Sequence, residues 1–226
     1  MASVGESAIY PIVPGHELSG VAVAVGKKVT KFKVGDQVGV GVISDSCLNC
    51  IACKAGAENY CATGMTETYN SPFTYGRANP GPGHPTDRTF GGFASQMVVH
   101  EHFGIKIPEV CPLEKAGPLM CAAITMYDPL KHWKAGPGVR VGIVGLGGLG
   151  TMGIKLAKAM GATVTAISRS GSKRAVALSE LGCDAFVAMD TPSDVQACGK
   201  SLDLIISTVS DVHDATVCAC RVLEPH

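Results

Sequence analysis

Residues 139–150 read Val-Arg-Val-Gly-Ile-Val-Gly-Leu-Gly-Gly-Leu-Gly, an apolar run that ends in a glycine-rich turn. The run predicts a buried strand, and the turn has the GxGxxG pattern that joins a strand to a helix in dinucleotide-binding units. The first glycine makes the tight turn, the second lets the backbone approach a pyrophosphate, and the third lets helix and strand pack closely. A glycine-rich turn without a ligand is the alternative. We predict a dinucleotide site at six residues: Gly145, Leu146, Gly147, Gly148, Leu149 and Gly150.

The sequence around this motif alternates between apolar runs, at residues 139–144, 163–167, 185–188 and 202–207, and stretches of helical character. Such alternation predicts a parallel sheet with helices on its faces. Upstream, alternating valines between Leu18 and Val42 predict two strands of a small barrel, joined by a polar turn, and residues 92–107 alternate again. Residues 112–132 have helical spacing, which Pro118 and Pro129 should interrupt. The predicted fold is an α/β Rossmann domain with a parallel sheet, together with a small β-barrel domain.

The turn after the second of these strands carries hydroxyls and cations. It reads Ser168-Arg169-Ser170-Gly171-Ser172-Lys173-Arg174, and no carboxylate occurs between Gly150 and Glu180. A carboxylate here would bind the ribose 2′-hydroxyl of NAD, whereas cations accommodate the 2′-phosphate of NADP. The sequence therefore favours NADP(H), with a solvated basic turn as the alternative. The predicted contacts are Ser168, Arg169, Ser170 and Lys173, with Arg174 as a third nearby cation.

Four of the ten cysteines form a cluster with the spacing CxxCxxCx7C. They lie in a segment, residues 44–90, with little periodicity, so something other than an apolar core should hold it. Four soft ligands from one loop suit a closed, tetrahedral zinc site. The alternatives are an iron–sulfur cluster, whose bacterial spacing ends differently, and four reduced cysteines without a metal. We predict a structural zinc bound by Cys47, Cys50, Cys53 and Cys61.

The charge balance argues against a polyanionic partner. Nineteen Lys and Arg residues balance nineteen Asp and Glu residues, so we expect neither nucleic acid nor a membrane surface as a partner. The least charged stretch, residues 141–154, is shorter than the roughly 20 apolar residues that a membrane span needs, and the N-terminus lacks a signal-peptide pattern. We therefore expect a cytoplasmic protein.

A third motif gives the sequence a family resemblance. Gly15-His16-Glu17 is followed by Gly20, Gly26 and Val29, which forms the pattern GHExxGxxxxxGxxV. This pattern, the cysteine loop and the GLGGLG motif follow one another as in zinc-dependent, medium-chain alcohol dehydrogenases, which the chain resembles over nearly its whole length. The cinnamyl alcohol dehydrogenase branch fits best, through residues 11–17, 34–36, 58–61, 91–93 and 144–150.

The resemblance implies an N-terminal GroES-like barrel, residues 1–118, that carries a catalytic zinc, and a Rossmann domain, residues 119–226, that binds NADP(H). His16 and Cys121 match zinc ligands of the family, and Glu17 matches the neighbouring carboxylate that can enter the coordination shell. The implied activity is hydride transfer between NADP(H) and a small-molecule primary alcohol or aldehyde, with zinc as a Lewis acid. Members of the family are commonly dimers or tetramers.

Two departures from the family pattern bear on this expectation. The family has a further cysteine ligand upstream of the histidine, followed by a hydroxyl residue that relays a proton, and it continues to further Rossmann strands at the other end. We therefore expect both domains to be incomplete, and the 226 residues alone not to reduce aldehydes at a rate typical of the family. Two other functions stay open: a catalytically inactive, truncated zinc- and nucleotide-binding module, and an electron carrier with iron at the cysteine loop.

Overall fold

The computed structural model of the protein describes residues 8–75, 87–199 and 201–210. These residues group into two compact units that divide after Cys121, an N-terminal unit and a C-terminal unit that begins at Ala122. The boundary between residues 118 and 119 that the sequence suggested remains a proposal.

The N-terminal unit consists of short strands linked by long irregular segments. Its strands are Leu18–Val21 (β1), Gln37–Val40 (β2), Ile43–Asp45 (β3), Thr66–Glu67 (β4) and Gly104–Lys106 (β5). Its helices are Ile51–Lys54 (α1) and Leu113–Ala116 (α2), with 3-10 turns at Glu58–Tyr60 and Gly117–Met120. The strands form an antiparallel sheet of order β1-β2-β5 and a β3-β4 pair. The predicted pairing of two strands across a polar turn is confirmed, because β1 and β2 are antiparallel.

The apolar alternation over residues 92–107 produces a strand in only a short part of that segment, β5. Around the start of this segment, backbone N–H groups form hydrogen bonds with another part of the chain. Gly91 donates to the Val13 carbonyl at 2.6 Å, and Phe93 donates to the Pro14 carbonyl at 3.0 Å. A backbone engaged in these contacts is not free to extend a ladder, whatever its apolar alternation.

The interior around β3 and β4 is polar. Ser44, Thr66 and Thr68 are each at most 2% exposed. The Ser44 hydroxyl donates to the Glu67 carbonyl at 3.1 Å, and the Thr68 hydroxyl donates to the Gly41 carbonyl. Buried hydroxyls that find such partners are tolerated, but they contribute little net stability compared with buried apolar side chains. This observation supports the prediction that the cysteine-rich segment is not held by an apolar core.

The C-terminal unit is built on one parallel sheet. Its strands are Arg140–Val144 (β6), Thr163–Ser168 (β7), Ala185–Ala188 (β8) and Leu204–Ser207 (β9). Its helices are Ala122–His132 (α3), Gly148–Ala159 (α4) and Pro192–Cys198 (α5), with a 3-10 turn at Gly171–Lys173 and a π-helical turn at Val176–Glu180. The order is β8-β7-β6-β9, and every pair is parallel. The predicted parallel sheet with its four strands is confirmed.

An apolar core holds this unit together. Helices α3 and α4 pack against each other and bury Met126, Leu130 and Ile154 over the strand residues Val141 and Ile143, each at most 1% exposed. Within the described parts of the chain, both clusters of packed, buried apolar residues belong to this unit.

Proline was expected to interrupt the helical stretch at two positions, and it does so at one of them. Pro118 lies in the 3-10 turn Gly117–Met120 that separates α2 from α3, but Pro129 lies inside α3. A proline in a helix interior costs about 3 kcal/mol. Met126 and Leu130 on either side of Pro129 are buried in the core, and their packing offsets that cost.

No helix in the described ranges is both long and apolar enough to cross a lipid bilayer.

We predict that Ile154→Ala lowers the free energy of unfolding by about 2–5 kcal/mol, because it leaves a cavity between α4 and the sheet. Lys155→Ala is the matched control, since Lys155 is the next residue of the same helix and is exposed. Denaturant unfolding of both variants would contradict the assigned core if the two losses were equal.

Candidate metal centre and cofactor site

The four predicted zinc ligands converge in the N-terminal unit. The sulfurs of Cys47, Cys50, Cys53 and Cys61 all lie within 4.8 Å of one another, and Cys53 is buried. A zinc ion about 2.3 Å from each of four tetrahedral sulfurs would separate them by roughly 3.8 Å. The Cys47 and Cys53 sulfurs are 3.8 Å apart. The spacing fits one ion and leaves no room for a cluster of several irons.

Local backbone geometry brings the first three cysteines together. Leu48 adopts a positive φ of 54°, and the chain turns so that the amides of Asn49 and Cys50 donate to the Cys47 sulfur at 3.4 and 3.3 Å. Helix α1 then follows and carries Cys53. These two amide contacts fix the direction of the Cys47 sulfur.

The fourth cysteine arrives from a separate turn. Cys61 follows the 3-10 turn Glu58–Tyr60, and Glu58 in that turn pairs with His102 at 2.7 Å. Two positive-φ glycines frame the segment, Gly56 at 73° and Gly64 at 85°. Glycine is favoured at both positions because other residues adopt this backbone conformation at a cost.

The protonation of the cluster is uneven. The backbone N–H of Cys47 is the largest cause that lowers the pKa of Cys61, to about 5, and the Thr63 and Tyr75 hydroxyls also lower it. The backbone N–H of Ala62 is the largest cause that lowers the pKa of Cys50. The Ser46 hydroxyl favours the thiolate of Cys53, but burial and the neighbouring cysteines outweigh it and raise its pKa to about 11. A bound cation would deprotonate the buried thiol.

Two side chains of types that can bind a metal, a histidine and a cysteine, meet elsewhere in the N-terminal unit. His16 Nε2 lies 3.2 Å from the Cys121 sulfur, although 105 residues separate them. Gly15, which precedes His16, has a φ of 107° and lies against Gly92, and a Cβ on Gly15 would lie 3.2 Å from the Gly92 nitrogen. The Tyr69 ring stacks on the imidazole with the centroids 5.9 Å apart and the planes 15° apart.

Glu17 does not join this pair. Its side chain is exposed, and in the described residues the four cysteines are the one group of three or more histidine, cysteine or carboxylate ligands that is gathered tightly enough for a metal. The structure therefore brings together two of the three predicted catalytic ligands.

The glycine motif of the C-terminal unit forms the turn that the sequence predicts. Gly145 follows β6 with a φ of 93°, Gly147 is extended, and α4 begins at Gly148. A Cβ on Gly150 would lie 1.8 Å from the Gly145 carbonyl oxygen, whereas a Cβ on Gly147 or Gly148 would meet nothing within 4 Å. Gly150 thus allows the close packing of helix and turn, and the backbone at Gly147 and Gly148 is open to a ligand. Phosphates bind at helix N-termini of this kind.

The turn at residues 168–174, which carries the hydroxyls and cations, lies beside this motif. Ser168 ends β7, which is the neighbour of β6, and Lys173 Nζ donates to the Leu146 carbonyl at 2.8 Å. Lys173 therefore links the two turns. Arg169 is exposed, and the Ser170 hydroxyl lies 3.1 Å from that of Ser172.

The expectation that Arg174 is a third nearby cation was wrong. Its guanidinium pairs with Asp194 and lies 4.8 Å from the Phe186 ring centroid. These contacts direct Arg174 toward β8 and α5, so its charge is already compensated within the unit.

Two residues at these sites were missed in the sequence. Thr208 follows β9, and its hydroxyl donates to the Val144 carbonyl at 2.8 Å, beside the glycine turn. The order of the strands could have indicated it, since β9 lies next to β6. Tyr69 lies in an irregular segment, and no periodicity pointed to its contact with His16.

Comparison with known proteins agrees with both units. Residues 2–109 match the family model of the alcohol dehydrogenase GroES-like domain, and residues 148–224 match that of zinc-binding dehydrogenases. The chain is 50% identical over 202 residues to NADP-dependent alcohol dehydrogenase C 1 of Mycolicibacterium smegmatis, covering 89% of this chain and 55% of the relative. It is 48% identical over 206 residues to probable cinnamyl alcohol dehydrogenase 5 of Oryza sativa subsp. japonica, covering 91% and 55%. The chain spans about half the length of the curated relatives it matches.

Solved structures of alcohol dehydrogenases are also similar to this chain. Cinnamyl alcohol dehydrogenase SbCAD4 of Sorghum bicolor superposes with a TM-score of 0.83 at 46% identity, covering 92% of this chain and 56% of that one. The cinnamyl alcohol dehydrogenase of Helicobacter pylori, complexed with NADP(H), gives 0.77 at 41% identity, covering 89% and 54%. A GroES-like unit followed by a Rossmann-like unit defines the zinc-binding dehydrogenases. The chain belongs to the zinc-dependent, medium-chain alcohol dehydrogenase family, in its cinnamyl alcohol dehydrogenase branch.

We predict that Gly150→Ala lowers the free energy of unfolding by at least about 1–3 kcal/mol, because the added methyl group forces helix and turn apart. Gly148→Ala has open space around it and should be neutral or slightly stabilising. Thermal unfolding without cofactor compares the two, and equal losses would contradict the close approach at Gly150.

Proposed function

We propose that this chain forms part of a zinc-dependent oxidoreductase that transfers hydride between NADP(H) and a primary alcohol or its aldehyde. The observation that carries this proposal is the meeting of His16 and Cys121 at 3.2 Å, in a chain that also has an open glycine turn before α4. An imidazole and a thiolate are ligands that catalytic zinc sites use. The relatives named as alcohol dehydrogenases support the reaction class.

At the His16–Cys121 pair, a bound zinc would supply Lewis-acid chemistry, polarising an aldehyde carbonyl or stabilising an alkoxide. Residues of the chain would bind this metal and orient its ligands. Cys121 supplies a sulfur ligand from the end of the 3-10 turn, and Tyr69 stacks on His16 and limits rotation of the imidazole. A catalytic zinc normally has three protein ligands and an open position. Glu17 remains our proposed third ligand.

We assign a structural zinc to Cys47, Cys50, Cys53 and Cys61. Their sulfur spacing supports a single tetrahedral ion, and the polar interior around β3 and β4 gives the loop little other support. The metal would stabilise the cysteine loop, which buries few apolar side chains of its own.

We assign NADP(H) as the cofactor, bound at Gly145, Leu146, Gly147, Gly148, Leu149 and Gly150, with its 2′-phosphate near Ser168, Arg169, Ser170 and Lys173. Lys173 donates one proton to the Leu146 carbonyl, so its ammonium has two left for a phosphate. Charge-assisted hydrogen bonds are worth about 1.5–3 kcal/mol each. One or two such contacts favour NADPH over NADH about tenfold or more.

A second candidate is a catalytically inactive module that binds zinc and nucleotide. The observation that favours it is the position of Glu17 outside the His16–Cys121 pair. Both candidates bind the same two ligands, so turnover alone separates them. For either, a small molecule is the proposed partner, and assembly as a dimer or tetramer and a cytoplasmic location remain proposals.

We predict that the full-length protein oxidises NADPH in the presence of cinnamaldehyde, and that Cys121→Ser lowers kcat/KM at least about a hundredfold, because the metal loses a ligand. Cys111→Ser is the control, since Cys111 lies outside both sites. Absorbance at 340 nm follows the reaction. Zinc and NADPH binding without turnover would favour the inactive module, and equal activity in both variants would contradict the role of Cys121.

We predict that Ser168→Asp reverses the cofactor preference, because a carboxylate accepts the ribose hydroxyl and repels the phosphate. The ratio of the two dissociation constants, measured by fluorescence titration, should change at least about tenfold. Thr163→Asp adds the same charge at the exposed opposite end of β7 and should leave the ratio unchanged. An unchanged ratio in Ser168→Asp would count against the proposed phosphate site.

A further inference from the structure

Two hydroxyl groups converge on the sulfur of the last clustered cysteine. Thr63 Oγ1 lies 3.5 Å and Tyr75 Oη 3.6 Å from the Cys61 sulfur, and the two oxygens are 2.9 Å apart. Each hydroxyl has one proton, which it donates either to the thiolate or to another acceptor; a hydroxyl that donates to the thiolate draws part of its charge and fixes its direction.

Tyr75 also binds the backbone that follows Cys61. Its hydroxyl contacts the Thr63 carbonyl at 3.1 Å and the Gly64 carbonyl at a shorter distance. Because Tyr75 lies 14 residues after Cys61, these contacts tie a distant part of the chain to the cysteine turn. Gly64 in turn donates its N–H to the Cys61 carbonyl at 3.0 Å. Residues 61–64 therefore form a small turn with Tyr75 across it.

Cys61 reaches the cluster from outside the loop that carries the other three ligands. Cys47, Cys50 and Cys53 share one tight loop, and two of its amides point at the Cys47 sulfur. Cys53 is buried, and the fully buried Ser46 hydroxyl lies 3.4 Å from its sulfur. Cys61 comes from a separate turn and is only partly buried. The two hydroxyls therefore contact the one ligand that comes from outside the shared loop.

We propose that Tyr75 is a positioning residue of the cysteine centre, whose hydroxyl acts with that of Thr63 to hold Cys61 as the fourth ligand and to cover its sulfur. The inference rests on the proposed structural zinc. It assigns to Tyr75 control over how fast Cys61 leaves the metal and meets reagents from solution. The thiolate is the reactive form, so cover at this sulfur governs its alkylation and oxidation.

The test measures which cysteine reacts first. The full-length protein is analysed for zinc and then treated with less than one equivalent of iodoacetamide, and the modified cysteine is identified by peptide mass spectrometry. Tyr75→Phe and Thr63→Val remove one hydroxyl each, and Thr63→Ser retains it. Tyr60→Phe is the control, since Tyr60 precedes Cys61 and is 75% exposed.

We expect the amount of label at Cys61 to rise about tenfold in Tyr75→Phe and in Thr63→Val. This is the lower end of the usual effect of lost outer-shell contacts on metal sites. Thr63→Ser and Tyr60→Phe should match the wild type. Zinc transfer to a chromogenic chelator should accelerate in the same two variants.

Three outcomes would overturn the inference. If Tyr75→Phe reacts at Cys61 like the wild type, the hydroxyl has no positioning role. If all four cysteines gain reactivity equally, Tyr75 supports the fold and not Cys61. If the wild-type protein contains no zinc at these cysteines, the proposed metal centre is itself wrong, and the metal analysis shows this before any variant is compared.

Discussion

The convergence of four cysteine sulfurs within 4.8 Å is the constraint on which the N-terminal unit depends. Around β3 and β4 this unit buries hydroxyls such as Ser44, Thr66 and Thr68, whose hydrogen bonds replace those made to water and add little net stability. Four thiolates at this distance repel one another unless a cation lies between them. A single divalent ion removes that repulsion and closes the loop, and the binding free energy of such an ion becomes folding free energy. Order in this unit and occupancy by metal are therefore expected to be coupled.

The C-terminal unit is stabilised by apolar packing. Its sheet and helices bury a continuous apolar core, and at one point the backbone of α4 approaches the turn after β6 so closely that a side chain at Gly150 has no room. Gly147 and Gly148 in this turn are exposed, while Lys173 joins the glycine turn to the turn after β7. Packing thus creates a surface that suits a phosphate. The proposed metal ligands His16 and Cys121 belong to the other unit.

Sequence reasoning worked where a physical pattern is local. The apolar runs predicted all four parallel strands, and the cysteine spacing predicted which sulfurs converge. It failed where distant contacts decide the outcome. Core packing around Met126 and Leu130 carries α3 past Pro129, and the backbone of residues 91–93 binds residues 13–15 in place of a strand partner. Arg174 turned to Asp194, which no nearby sequence feature indicates. Tyr69 and Tyr75 lie in irregular segments, so neither had a periodicity that could assign it to a metal ligand.

The central claim, a zinc ion held by the four cysteines in a zinc-dependent dehydrogenase, is tested most directly by anomalous diffraction. Data collected on both sides of the zinc K edge, from crystals of the full-length protein, locate the metal and identify the element at once. We expect an anomalous peak that disappears below the edge and lies about 2.3 Å from the sulfurs of Cys47, Cys50, Cys53 and Cys61. A peak that persists at the iron edge, or an ordered cysteine loop with no metal at its centre, would contradict the account.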